Sequence, residues 1–131
     1  MMYCLTHEMP LFPGTGSISE RGEYDNVVNA PLRAGDSGET FREAFDIAIL
    51  PRLLEFGPEL IVISAGFDAH KLDPLSNLNL SEADFRWATH RIMEIADVRS
   101  AGRVISVLEG GYALESLALS VATQVTALMQ S

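Results

Sequence analysis

Hydrophobic and polar positions along this chain alternate between two kinds of pattern. "ELIVIS" (59–64) and "RVISVL" (103–108) are nearly continuous apolar runs. Such a run predicts a strand covered on both faces, as in the middle of a parallel sheet. "MYCLT" (2–6) and "VVNAPL" (27–32), the latter ended by Pro31, read as two shorter strands. Elsewhere the apolar residues recur at steps of three and four. Phe41, Ala44, Phe45, Ala48, Ile49, Leu53 and Phe56 form one stripe, which predicts a helix over 40–56. Pro51 lies inside it and is expected to kink or shorten it, and Gly57-Pro58 stops it. A second helix starts at Ser81, where Ser81 to Asp84 resembles a capping box with Asp in place of the usual Glu. It carries Phe85, Ala88, Ile92, Ile95 and Ala96 on one side and ends at Gly102. A final helix over 114–129 would turn Leu114, Leu117, Ala118, Val121, Val125 and Leu128 inward.

The resulting order is strand, long loop, strand, helix, strand, helix, strand, helix. Strands alternating with helices predict an α/β fold with a mainly parallel sheet and helices on both faces. No repeat, low-complexity segment or linker interrupts residues 1–131, which therefore read as one domain or part of one. In open parallel sheets ligands bind at the carboxyl ends of the strands. The exits "HEMPLFPGTG", "AGFDAHKLDPL" and "EGGY" should therefore gather at one edge. Their convergence is the strongest purely physical sign that a site exists.

Composition narrows the classes. The chain is 47% hydrophobic, enough for a globular core and too much for a disordered chain. Net charge is −9 and no Lys/Arg cluster occurs, which argues against nucleic-acid binding. The single cysteine, Cys4, allows no internal disulfide and suits a reducing cytoplasm. "MMYCLTHEMP" has no basic segment followed by an apolar core, so no signal peptide is expected. "LESLALSVATQVTALM" comes nearest to a membrane span, but Glu115, Ser116, Ser120, Thr123 and Gln124 interrupt it.

Several residues could carry chemistry. Asp68 follows an apolar strand and is either a turn or cap aspartate or a metal ligand. His70, two residues on, would share its face on an extended backbone. Two ligands do not make a catalytic zinc site, which takes three protein ligands and an open position. Tyr112, after Gly110-Gly111, is either an ordinary half-buried tyrosine or a donor to a developing oxyanion. Phe12, in "LFPGTG", is a loop anchor or a pocket wall. His7 at a strand exit reads as a structural hydrogen-bonding group, His90 as part of a solvated helix face, and Cys4 as inert core. Glu109 could act as a base by type, but nothing in the sequence pairs with it.

"SAGFDAHKLDPL", then "LEGGY", with "FPGTG" upstream, resembles the zinc-dependent histone deacetylase and acetylpolyamine amidohydrolase family. The likeness is closest to class II and bacterial acetoin-utilisation-type members and runs over essentially the whole chain. It implies the arginase/deacetylase-like fold, incomplete in this chain, and hydrolysis of an acetyl-lysine or acetylated polyamine or small amine. It also implies a zinc ion held by Asp68, oxyanion stabilisation by Tyr112, and a substrate tunnel lined by Phe12, Leu75, Gly110 and Gly111. Leu5 and Thr6 resemble part of a potassium site, and His70 becomes a bystander at the rim.

The departure from the family pattern is its tandem histidines and Asp-x-His pair, which would precede the point where this sequence opens. Alone, the chain is expected to be the C-terminal part of a deacetylase, binding zinc poorly and turning over little. A second hypothesis is a non-catalytic module that pairs through exposed sheet edges, with a missing N-terminal half or with itself. The arginase group ranks last, because it needs clustered carboxylates and "GFDAHKLDP" offers only Asp68 and Asp73.

Overall fold

The computed structural model describes residues 1–8, 17–67, 70–72 and 78–130. Strand β1 (Tyr3–Glu8) pairs in parallel with β2 (Val27–Leu32), and Cys4 lies opposite Val28. Strand β3 (Ile61–Gly66) pairs in parallel with β4 (Val104–Gly110). Among the described residues these are two separate two-stranded sheets. The parallel, helix-connected order is that of an α/β fold in incomplete form.

Pro51 explains the first helical region. A proline cannot donate the bond that the turn before it requires. The helix responds by widening, running as α1 (Gly38–Ala44), a π-helical turn over Phe45–Ile49, and α2 (Leu50–Phe56). The extra residue rotates the apolar stripe. Phe41, Phe45, Ile49 and also Leu50 are buried, whereas Phe56, expected inside, is exposed. Phe41 and Phe45 meet the ring of Trp87 edge-on at 6.4 and 5.8 Å, and the Arg42 guanidinium lies 5.4 Å from that ring.

Helix α3 (Glu82–Arg99) begins as its sequence predicts. The Asp84 carboxylate accepts from the Ser81 backbone N–H at 2.9 Å and from its hydroxyl at 3.1 Å. Arg42 reaches the other carboxylate oxygen at 3.0 Å, tying α1 to the head of α3. Gly38 sits against that carboxylate so closely that a Cβ would overlap it.

Helix α4 (Leu114–Met129) is rotated from the expectation: of the six residues expected inward, Leu114, Ala118 and Val125 are exposed. Its buried positions are Ser116, Ser120, Gln124 and Ala127, while Leu114 and Val125 face out. Helix α4 packs against α3, and the Gln124 side-chain oxygen accepts from the Ser106 hydroxyl at 3.1 Å. Leu117 and Val121, at the margin of this face, do pack against the core as expected.

One core cluster joins everything, from Val28, Ala30 and Leu32 through the π turn to Ile61, Ala65, Phe67, Phe85 and Ala96. The covering predicted for both faces of β3 is found on one. Ile61 and Ala65 are buried, but Val62 is 57% exposed, because no element among the described residues lies over it. No helix among the described residues is long and apolar enough to cross a membrane.

Candidate functional site

The exits of β3 and β4 form one structure. The pairing runs in register to Ala65 and Leu108, then skips Glu109, so that Gly66 lies opposite Gly110. That is a β-bulge, which bends the strand and re-aims the residues beyond it. Past the bulge the Phe67 N–H donates to the Gly110 carbonyl at 2.8 Å, extending the ladder past the strand ends. Gly111 has φ +140, a conformation open to glycine alone, and a Cβ there would lie 2.7 Å from Leu117 Cδ1 and 3.4 Å from Phe67 Cβ. The chain thus turns against the β3 exit and delivers Tyr112 at the sheet's carboxyl edge, with 56% of its surface exposed.

On the β3 side, Phe67 packs edge-on against Phe85 at 5.1 Å, and both are buried. The next described residue, His70, is not at a rim. It is 1% exposed. Its Nδ1 accepts the Leu72 N–H at 3.1 Å, so Nε2 carries the proton and donates to Glu82 Oε1 at 3.0 Å. Its backbone N–H donates to the Phe67 carbonyl at 3.2 Å, and the Lys71 N–H to the Leu80 carbonyl at 2.9 Å. The imidazole therefore rivets the β3 exit to the head of α3. The Glu82 carboxyl is held below its ordinary value, first by its own backbone N–H at the helix start, then by the bond from His70, against an opposing effect of burial.

The remaining sequence-derived residues are dispersed. Gly110, Gly111 and Tyr112 lie together beside Phe67. Leu5 and Thr6 are half-buried within β1, opposite Asn29 and Ala30, because β1 continues to Glu8 where a strand ending at Thr6 was expected. Asp68, Phe12 and Leu75 fall outside the described residues. His7 continues β1, and both its ring nitrogens are buried with no partner among the described residues, where a structural hydrogen-bonding role was expected. Burial pushes the Cys4 thiol up, opposed by the nearby Arg52 charge. A groove of about 820 Å³ opens beside the end of β2, lined by Ser17, Ile18, Arg21, Pro31, Leu32 and Arg33, and among the described residues no sequence-derived site residue lines it.

Sequence reasoning missed the bulge at Glu109 and the His70–Glu82 pair. A strand exit of "LEGGY" could have suggested the bulge, since paired glycines favour one. Nothing local links His70 to Glu82, twelve residues away.

The profile of the histone deacetylase domain matches residues 1–128. The chain belongs to the histone deacetylase domain family. It is 46% identical over 92% of its length to the uncharacterised protein slr0245 of Synechocystis. It is 41% identical over 93% of its length to histone deacetylase 10, chloroplastic, of Oryza sativa. The chain spans 38% and 28% of the lengths of these two relatives. In three dimensions 98% of it superimposes on the HDA15 HD domain with a TM-score of 0.89 and 30% identity, covering 37% of that chain.

The described residues do not by themselves fit the zinc ion that the resemblance implies. Among them no group of three or more His, Cys, Asp or Glu side chains could hold a metal ion. A catalytic zinc needs three protein ligands.

Proposed function

We propose that this chain is part of a zinc-dependent amide hydrolase that removes acetyl groups from acetyl-lysine or from acetylated polyamines and small amines. The observation that carries the proposal is the β4 exit. A bulge and the constrained Gly111 set the β4 exit against Phe67, and the two residues in question follow directly in sequence, Tyr112 after Gly111 and Asp68 after Phe67, which supports a shared site.

Hydrolysis of an amide passes through a tetrahedral state in which the carbonyl oxygen becomes negative. The chain's own contribution would be the Tyr112 phenol, donating to that oxygen. Gly110 and Gly111 would let the substrate pass close to the backbone, and Phe12 and Leu75 would line its path. Asp68 would supply one carboxylate to a zinc ion whose other ligands, with the histidine base, lie outside these 131 residues. A potassium ion near Leu5 and Thr6 belongs to the same proposal. So does a cytoplasmic location, which the single cysteine supports.

The test is release of acetate from an acetyl-lysine peptide and from an acetylated polyamine. It compares the chain alone with the chain completed by the remainder of the Synechocystis relative. The completed enzyme should turn over, and Tyr112→Phe should lower kcat by roughly 10²–10³-fold with KM little changed. An unchanged kcat removes Tyr112 from the mechanism. Stoichiometric zinc and clear turnover by residues 1–131 alone would refute the view that the site is shared.

A further inference from the structure

A second, smaller groove of about 430 Å³ lies between α1 and α3. Arg42 of α1 lines it, with Ala83, Arg86, Trp87, His90 and Arg91 of α3. The α3 positions recur at steps of three and four, so they share one side of the helix. The core-facing sides of the two helices carry Phe41, Phe45, Phe85 and Ile95, so the groove lies on the side turned away from the strands, where Arg86 is exposed. It contains no residue of the β3 or β4 exits.

Charge in this groove runs against the composition. The chain carries −9, yet three of its nine Lys and Arg residues line the groove, so their convergence does not express a generally basic surface. The neighbouring carboxylates are already engaged. Asp84 accepts from the Arg42 Nε–H at 3.0 Å with one oxygen and from Ser81 at 2.9 and 3.1 Å with the other. Glu94 and Asp46 both accept from Arg91, at 2.8 and 3.4 Å. Glu82, one turn before Arg86, is bonded to His70. Among the described residues Arg86 pairs with no carboxylate, and Arg42, 5.4 Å from the Trp87 ring, keeps both Nη groups unpaired. The His90 Nε2 is buried and also has no partner among them. A buried polar atom left unsatisfied is costly, so a ligand that engages it gains by doing so. Ala83, in the first turn of α3, adds the positive end of the helix dipole and a side chain too small to fill the space.

Unpaired guanidinium forks favour an oxyanion, which they can hold through two bonds at once. A carboxylate has two oxygens and would be used up by Arg86 alone. A phosphoryl group has three acceptor oxygens, enough for Arg86, Arg42 and His90 together. We propose that this groove binds a phosphate monoester, held by the Arg86 fork, the Arg42 Nη groups and the His90 Nε2–H. The site stands apart from the amide-hydrolase reading, because it uses none of the residues on which that reading rests.

The experiment titrates residues 1–131 with inorganic phosphate, with a phosphoserine peptide and with the same peptide unphosphorylated, at constant ionic strength kept with chloride. It reads the fluorescence of Trp87, the chain's one tryptophan and a wall of the groove. A saturable change with phosphate or phosphopeptide is expected, and none with the plain peptide. Arg86→Ala should weaken binding by roughly tenfold or more, as loss of a charge-assisted pair implies. Arg86→Lys should recover only part of that loss, since lysine keeps the charge but not the fork. Arg33→Ala removes an equal charge beside the larger groove and should leave binding unchanged. Circular dichroism checks folding, and Arg86→Gln replaces the alanine variant if that one unfolds. A phosphopeptide about tenfold tighter than inorganic phosphate would assign the ligand to a phosphorylated protein segment, and equal or weaker binding to a small phosphorylated molecule. The absence of any saturable change, an equal change with chloride alone, or binding indifferent to the Arg86 variants overturns the proposal.

Discussion

Replacing His70 separates a rim bystander from a buried rivet. His70→Ala removes a 1% exposed ring. Its bond to the Glu82 carboxylate is 3.0 Å long, and a bond to a charged group contributes about 1.5–3 kcal/mol. The Leu72 N–H loses its acceptor; Leu72 is 59% exposed, so water takes part of that place and the cost falls at the low end of about 1–3 kcal/mol. Because both effects come from one side chain and the loop can relax, the sum is expected near 3–4 kcal/mol, in the lower half of the combined range of about 2.5–6 kcal/mol. With a urea slope of about 2 kcal/mol/M, the unfolding midpoint should fall by roughly 1.5–2 M. The assay is equilibrium urea unfolding followed by the fluorescence of Trp87, the chain's one tryptophan, which packs on Phe41 and Phe45. His70→Asn keeps an acceptor near the Nδ1 position and should recover about half of the loss. Combined with Glu82→Gln in a double-mutant cycle, it should show a coupling of about 1 kcal/mol. A His70→Ala midpoint within about 0.3 M of the parent would refute the reasoning and return the ring to the rim.

Gly111→Ala should destabilise by about 2–3 kcal/mol in the same assay, since φ +140 strains any side chain and its Cβ meets Leu117. Leu117→Ala in that background should relieve the contact but not the backbone strain. The lowered Glu82 carboxyl favours folding while ionised. That contribution is complete above its ordinary value of 4.5 and is lost as pH falls through the lower folded value. Glu82→Gln should flatten the fall in stability over that window, measured as unfolding midpoints between about pH 5 and 3. Cys4, with its thiol raised by burial, should react with a thiol reagent far more slowly in the native chain than in urea at pH 8. Equal rates would place it at the surface.

The strands and helices were legible because periodicity is a local signal. β2 appears where "VVNAPL" places it, and the Ser81–Asp84 cap forms with aspartate in the glutamate role. The π turn was half legible. Pro51 announced a disturbance, but whether a helix kinks, ends or widens depends on what packs around it. α4 was misread because hydrophobicity says which side chains avoid water, not which can be brought closest to a neighbour. The buried positions are Ser116, Ser120, Gln124 and Ala127, while Leu114 and Leu119 are exposed. β3 reads as a two-sided central strand, yet one side lies open. The sequence pattern carries the requirements of a fuller sheet than this chain builds. In the site, Gly110, Gly111 and Tyr112 could be placed by strand topology alone. His70 could not, because its partner Glu82 comes from the next helix and only the folded chain brings the two together.

The rotated seating of α4 has a consequence for how this chain tolerates change. In a saturation survey read out by stability of residues 1–131, the strictest positions of the helix would be its small ones. Ser116, Ser120 and Ala127 would accept almost nothing larger, while Leu114, Val125 and Met129 would accept polar residues freely. Leu117 and Val121, packed on the core at the margin of the same face, would accept only other apolar residues. Along α4 the map would thus follow closeness of packing and not hydrophobicity.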